Sequence, residues 1–273
     1  MINSSELLEL LGAVREIAQT ASERILEVYA TDFGVEHKGD KTPLTLADMA
    51  SHDTIVSALK KLTPQWPTLS EESTMIPFEE RAQWRCYWLV DPLDGTREFV
   101  KRNGEFTVNI ALIEDQKPIL GMIEVPVTQT SYFAVKGGGS FKCLPGHSPT
   151  SIQTRPCPKD RIIVAGSRSH AGDTLQKFMK VLEMEVELVS IGSSLKSCLV
   201  AEGKADLYPR FGPTSEWDTA AAQCIVEQAG GFVTDIHLHP LCYNTKDSLI
   251  NPHFLVFGDS NKTWSQYIAQ AGL

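Results

Sequence analysis

No two of the six cysteines make a C-x-x-C pair: Cys86, Cys143, Cys157, Cys198, Cys224 and Cys242 lie far apart, which excludes a zinc ribbon and a dithiol redox motif. Several sit in apolar runs, where a buried free thiol is the expected state. Long hydrophobic runs are also missing, so no segment is expected to span a membrane. The first stretch carries Glu6, Glu9, Arg15 and Glu16 among its apolar residues, which reads as an amphipathic helix rather than a secretory h-region. Reduced thiols and no signal peptide give a cytoplasmic expectation. Positive charge is short as well. Lys and Arg number 25 against 34 Asp and Glu, a formal net charge of −9 that argues against a nucleic-acid polymer as partner. The Gly137-Gly138-Gly139 run lacks the Gly-Lys-Ser/Thr of a phosphate loop and reads as a flexible turn. Gly166-Ser167-Arg168-Ser169 is not a G-x-S-x-G elbow, which removes a serine hydrolase. His237-Leu238-His239, beside Pro240, is expected to be a surface turn rather than a metal pair.

What is present is the composition of an ordinary globular protein, 42% hydrophobic and 22% charged. Asn3 and Glu6 resemble a capping box ahead of helical periodicity that reaches Tyr29. Turn chemistry at 39–43 separates this from a second helix beginning near Thr45 and ending before Pro64. Trp88-Leu89-Val90 is a short buried strand. Residues 106–113 and 119–125 read as a strand pair, and 132–135 as a third strand. Four prolines between 144 and 160 mark the best boundary, dividing the chain into halves at 1–150 and 151–273. Beyond it strands at 161–165, 186–190, 205–210 and 232–235 alternate with helices at 171–184, 193–202 and 217–229, the pattern of an α/β layer.

Asp91-Pro92-Leu93-Asp94-Gly95-Thr96 follows the buried strand directly. Two carboxylates three apart in a tight turn repel, and a hard divalent cation with oxygen ligands removes that cost. Pro92 stiffens the turn, and Gly95 permits close backbone approach. An Asx-rich turn capping a short helix is the plainer alternative. Glu71 and Glu72 end another short apolar segment, where solvation alone would explain them. Asp218 opens a helix, and with Ser215 it would make a capping box. The acid spacing also separates the motif from haloacid-dehalogenase phosphatases, whose acids lie two apart.

Together these segments resemble a family. Asp91 to Thr96, Ser70-Glu71-Glu72, Trp217-Asp218 with Ala220-Ala221 and Ala229-Gly230-Gly231, and Pro43-Leu44-Thr45 with Ala47-Asp48 occur in the order found in the inositol monophosphatase-like superfamily. The stretch from Asp91 to Thr107, Ser167 to His170, Gly192 to Lys196 and Tyr208 to Pro213 look closest to its CysQ-type 3′(2′),5′-bisphosphate nucleotidases. Arg97 stands where Lys is usual there, which preserves the charge. The resemblance spans residues 40 to 252. It implies an α/β (α+β) fold, a layered αβαβα sandwich of the inositol monophosphatase and fructose-1,6-bisphosphatase type. It implies two or three Mg2+ ions held by Glu71, Asp91, Asp94, Asp218 and the backbone carbonyl of Leu93. Asp48 and Thr96, assisted by Glu71, would orient and deprotonate the attacking water. Substrate contacts are expected from Glu71, Leu93, Asp94, Gly95, Thr96, Asp218 and, for a second phosphate, Ser193, Lys196 and Arg210. For Lys196 and Arg210 a solvated helix face and strand end remain the alternative.

The implied reaction is Mg2+-dependent conversion of adenosine 3′,5′-bisphosphate to AMP and phosphate in sulfur metabolism, with lithium as an inhibitor. The partner is a small bisphosphate nucleotide. Association with the cytoplasmic face of a membrane is left open, and no oligomeric state is implied. An inositol monophosphatase or sugar bisphosphatase would share the metal cage. A phosphate-binding protein without turnover is the non-enzymatic alternative, which retention of both Asp48 and Thr96 opposes.

Overall fold

The computed structural model describes residues 2–31, 43–73, 75–166 and 173–273. The turn at 39–42 and the Ser167–His170 segment lie outside them. In the first half the elements are α1 (Ser4–Tyr29), α2 (Pro43–Leu62), β1 (Thr68–Ser70), α3 (Phe78–Arg81), β2 (Cys86–Asp94), α4 (Thr96–Val100), β3 (Thr107–Glu114), β4 (Lys117–Val125), β5 (Thr130–Val135), β6 (Gly139–Cys143) and β7 (Thr150–Ser151). The capping box at Asn3 and Glu6 is formed, each reaching the other's backbone N–H.

The seven strands form one sheet in chain order, antiparallel except where β1 runs parallel to β2. Its strands are apolar on both faces because both faces are covered. Trp88, Val90, Ile110, Leu112, Leu120 and Met122 pack against Leu11, Val14, Ile25, Ile55 and Leu59 of α1 and α2. The alternating residues, among them Leu89, Ala111, Ile113 and Ile123, turn to the opposite side and a second core. β3 and β4 join through Asp115 and Gln116, both left-handed at φ 48° and 66°, the two-residue hairpin geometry. The triple glycine closes the β5–β6 hairpin, with Gly137 and Gly139 left-handed at φ 76° and 82°.

The second half carries β8 (Arg161–Gly166), α5 (Asp173–Lys180), β9 (Glu185–Ser190), α6 (Leu195–Ala201), β10 (Leu207–Arg210), α7 (Glu216–Gln228), β11 (Phe232–Asp235), β12 (Phe254–Phe257) and α8 (Trp264–Gln270). Its sheet runs β11-β12-β10-β8-β9, with β8, β9 and β10 parallel and β12 antiparallel to both its neighbours. Phe178, Trp264 and Ile268 place α5 and α8 on its outer face, against Val164, Leu207 and Leu255. Cys198 and Val200 of α6 and Ala221, Cys224 and Ile225 of α7 fill the space between the two sheets. The layers therefore read helices, sheet, helices, sheet, helices, the five-layer sandwich that the family resemblance implies. Gly121 on β4 makes the closest approach across it: a Cβ there would stand 2.3 Å from the Ala221 carbonyl oxygen of α7.

The helix expected over 171–184 ends at Lys180, and Glu183 with φ 52° takes a left-handed turn into β9. α6 begins two residues late because Ser193 is left-handed at φ 44°. His237 and His239 sit in an Asx turn whose backbone N–H groups both donate to Asp235 Oδ1, at 2.8 and 2.9 Å. All six cysteines are free thiols. Among the described residues no helix is long and apolar enough to cross a membrane.

Candidate active site

β2 carries its acids to the end of the sheet through an irregularity. Asp91 pairs with Asn109 of β3 and Asp94 with Thr107, so three steps on one strand oppose two on the other. This bulge re-aims the strand end. Ser51 of α2 holds it by donating to the Pro92 carbonyl at 2.8 Å, and the Leu93 N–H donates to Asp91 Oδ1 at 3.1 Å. Gly95, left-handed at φ 100°, then turns the chain into α4. Glu71 follows β1, and its N–H donates to the Val90 carbonyl at 3.1 Å, which sets it beside Asp91. Asp218 arrives on the first turn of α7, where its Oδ2 accepts the Ser215 N–H at 2.9 Å. The capping reading of Asp218 is thus correct, and the same carboxyl also reaches Asp91.

Asp91 is 1% exposed and lies within hydrogen-bonding reach of the Glu71 and Asp218 carboxyls. Burial pushes its proton affinity well above the usual carboxylate range, and Asp94, Glu71 and Asp218 push it further. Asp218 is pushed up to about 7 by burial and then by Asp94. Glu71 is raised by burial foremost, with Glu72 and Asp94 adding to it while its bond to Asp91 opposes the rise. Asp48 on α2 is raised to about 7 by burial, Glu72 and Glu71. Thr96 opens α4 behind Gly95 and lines a hollow with Arg97, Val100 and Lys101.

Glu71, Asp91 and Asp218 within hydrogen-bonding reach of one another, with Asp94 beside them, make an oxygen-only donor set that fits a hard divalent cation. No three of them are drawn into a formed ligand sphere among the described residues; they pair with one another instead.

Asp94 and Asp218 also line a cleft of about 140 Å³, together with Gly95, Ser193, Lys196 and Arg210. Six of the eleven residues read from the sequence line this one cavity, and Asp48, Glu71, Asp91, Leu93 and Thr96 lie off its lining. Lys196 is not on a solvated face. It is 6% exposed, its Nζ donates to the Ser193 and Ile191 carbonyls at 2.5 and 3.4 Å, and it lies 5.4 Å from the Tyr208 ring centre. Burial lowers its pKa. Arg210 spends Nη2 on the Pro213 carbonyl at 3.1 Å, while its buried Nε has no partner among the described residues. A buried unpaired guanidinium donor beside a cleft is costly unless an acceptor arrives.

Sequence reasoning missed Thr107, Asn109 and Ser194, which surround the Asp94 carboxylate. The available signal was two polar residues alternating into the otherwise apolar run of β3.

Residues 6–271 match the model of the inositol monophosphatase family. The 3′(2′),5′-bisphosphate nucleotidase CysQ of Escherichia coli (strain K12) is 47% identical over 249 residues, 90% of this chain and 99% of its own. Its counterpart from Haemophilus influenzae is 40% identical over 263 residues, 93% and 95% of the two chains. Among solved structures, CysQ from Bacteroides thetaiotaomicron superposes with a TM-score of 0.82 at 41% identity, over 92% of this chain and 97% of that one. An inositol monophosphatase from Zymomonas mobilis gives 0.80 at 25% identity over 100% of both chains.

Proposed function

The chain belongs to the inositol monophosphatase family, and from that premise we propose that it is a 3′(2′),5′-bisphosphate nucleotidase, converting adenosine 3′,5′-bisphosphate to AMP and phosphate with magnesium. Relatives of 39–47% identity that bear this activity in their names cover most of the chain. The observation that carries the reading at the site is the junction of two features in one cleft. Asp94 and Asp218, acids that need a cation, line it together with the buried Lys196 and the half-buried Arg210.

Glu71, Asp91, Asp94, Asp218 and the Leu93 carbonyl are the proposed holders of two or three Mg2+ ions. Magnesium, when bound, supplies the positive charge that offsets phosphate oxygens and makes water easier to deprotonate. Asp48, raised to about 7, is matched to accepting a proton near neutral pH. Glu71 assists it, and the Thr96 hydroxyl orients the attacking water with Asp48. Arg210 meets the phosphate that is not cleaved with its unspent Nε, a charge-assisted bond. Lys196 adds positive charge and holds the Ser193 carbonyl, so Ser193 presents its hydroxyl and amide from a fixed loop. The chain's net charge of −9 makes these local cations the means by which an anion enters.

The test is phosphate release with magnesium from adenosine 3′,5′-bisphosphate and from inositol 1-phosphate. The nucleotide is expected to have the markedly higher kcat/KM, and Arg210→Ala should raise its KM by roughly tenfold or more with a smaller change in kcat. A preference for inositol 1-phosphate overturns the nucleotidase reading and leaves the family intact.

A further inference from the structure

One oxygen of Asp94 is heavily engaged and the other is not. Oδ2 accepts the Ser194 N–H at 2.7 Å and the Ser194 hydroxyl at 2.8 Å, with Asn109 Nδ2 at 3.4 Å. No hydrogen bond among the described residues ends on Oδ1. The donors are themselves ordered. Thr107 Oγ1 lies 3.0 Å from Asn109 Oδ1, its shortest contact, so the Thr107 proton goes there. That fixes the Asn109 amide with its nitrogen toward Ser194, whose Oγ accepts from Nδ2 at 2.9 Å. Ser194 Oγ carries one proton, and Asp94 Oδ2 at 2.8 Å is its nearer and charged acceptor, ahead of the Asp218 carbonyl at 3.0 Å. Thr107, Asn109 and Ser194 are 0%, 1% and 4% exposed, so water does not compete for these bonds.

We infer that Thr107, Asn109 and Ser194 form a buried proton-donor relay that holds Asp94 by Oδ2 and leaves Oδ1 as its single oxygen for a cation. They are positioning residues, acting through Asp94. This inference rests on Asp94 being a metal ligand. The relay crosses from β3 to the segment ahead of α6, and its Ser194 hydroxyl also lies against the backbone of Asp218. It therefore ties two proposed ligands from different halves of the chain to one frame. Partners of this kind, one bond behind a ligand, set metal affinity by fixing the ligand's orientation in advance.

The test titrates magnesium into metal-free protein and follows the melting temperature without substrate, so an error in the nucleotide assignment leaves it standing. Asn109→Leu removes both amide contacts at similar volume. Thr107→Val is isosteric and leaves the amide to rotate. Both are expected to raise the magnesium concentration at half of the melting shift by about tenfold. At saturating magnesium their KM for substrate should stay within about twofold of wild type. Ser194→Ala should behave likewise, and Ser194→Thr, which restores the hydroxyl, should recover most of the affinity. Because the residues act as one chain, Thr107→Val combined with Asn109→Leu should cost no more than Asn109→Leu alone. An unchanged magnesium half-point in Thr107→Val and Asn109→Leu, or effects that simply add in the double variant, would overturn the relay.

Discussion

Asp91→Asn is expected to abolish phosphate release while leaving the metal-free protein as stable as wild type, or up to about 1–2 kcal/mol more stable. Buried side chains normally destabilise when changed, so the sign is diagnostic. Asp91 is 1% exposed, and its neighbours Glu71, Asp94 and Asp218 all make its ionisation harder. Asparagine keeps an acceptor for the Leu93 N–H and offers amide donors where the aspartate meets the Glu71 and Asp218 carboxyls. What it loses is the charge that a cation needs. Magnesium should therefore raise the melting temperature of wild type strongly and that of the variant far less. A variant that is destabilised without metal, or one that magnesium stabilises equally, would make Asp91 a structural turn residue.

The melting temperature of the metal-free protein should fall as pH rises from 5 to 8. Asp48 and Asp218 are each raised from 3.8 to about 7, and Asp91 and Glu71 move in the same direction. The folded protein thus keeps protons that the unfolded chain releases above pH 4. Stability from these groups is complete below about pH 4 and is lost as pH climbs through about 7. A tenfold gain in proton affinity on folding is worth about 1.4 kcal/mol, and carboxyls that share protons count together as one or two groups, so a loss on the order of 3 kcal/mol is expected. For a chain of this size that is about 10 °C. Glu216, beside Arg81 and away from the cleft, is raised to about 7 and adds to the slope. Saturating magnesium should flatten the cluster's share and leave that of Glu216. Melts in chelator at four pH values decide it; a profile that is flat or rises with pH contradicts the assignment.

The acids were legible because the sequence breaks its own pattern there. Trp88-Leu89-Val90 predicts a buried strand, and a buried strand that ends in two carboxylates asks for a cation. Asp218 was legible twice over, as a cap and as an acid, and it does both. Other features depend on geometry that no spacing encodes. The turn that opens α4 takes φ 100° at Gly95, and the late start of α6 follows from φ 44° at Ser193. Lys196 reads as a solvated helix residue by position, yet it is buried because the loop carbonyls of Ile191 and Ser193 fold over it. Asn109 looks like a defect in a strand until Ser194, 85 residues away, supplies its partner. β12 and α8 escaped because four apolar residues at 254–257 and a seven-residue helix carry too short a period to distinguish. β1 was visible only as a short apolar stretch, and its parallel pairing with β2 is what brings Glu71 to Asp91.

If the acids around Asp91 hold protons until a divalent cation displaces them, metal binding must release those protons to solvent. Calorimetric titration of magnesium into the chelator-stripped protein at pH 6.5 tests this most directly, carried out in two buffers of different ionisation enthalpy. Saturable binding with the release of at least about one proton per protein is the predicted result. Saturable binding that releases no proton, or no saturable binding at all, would contradict it.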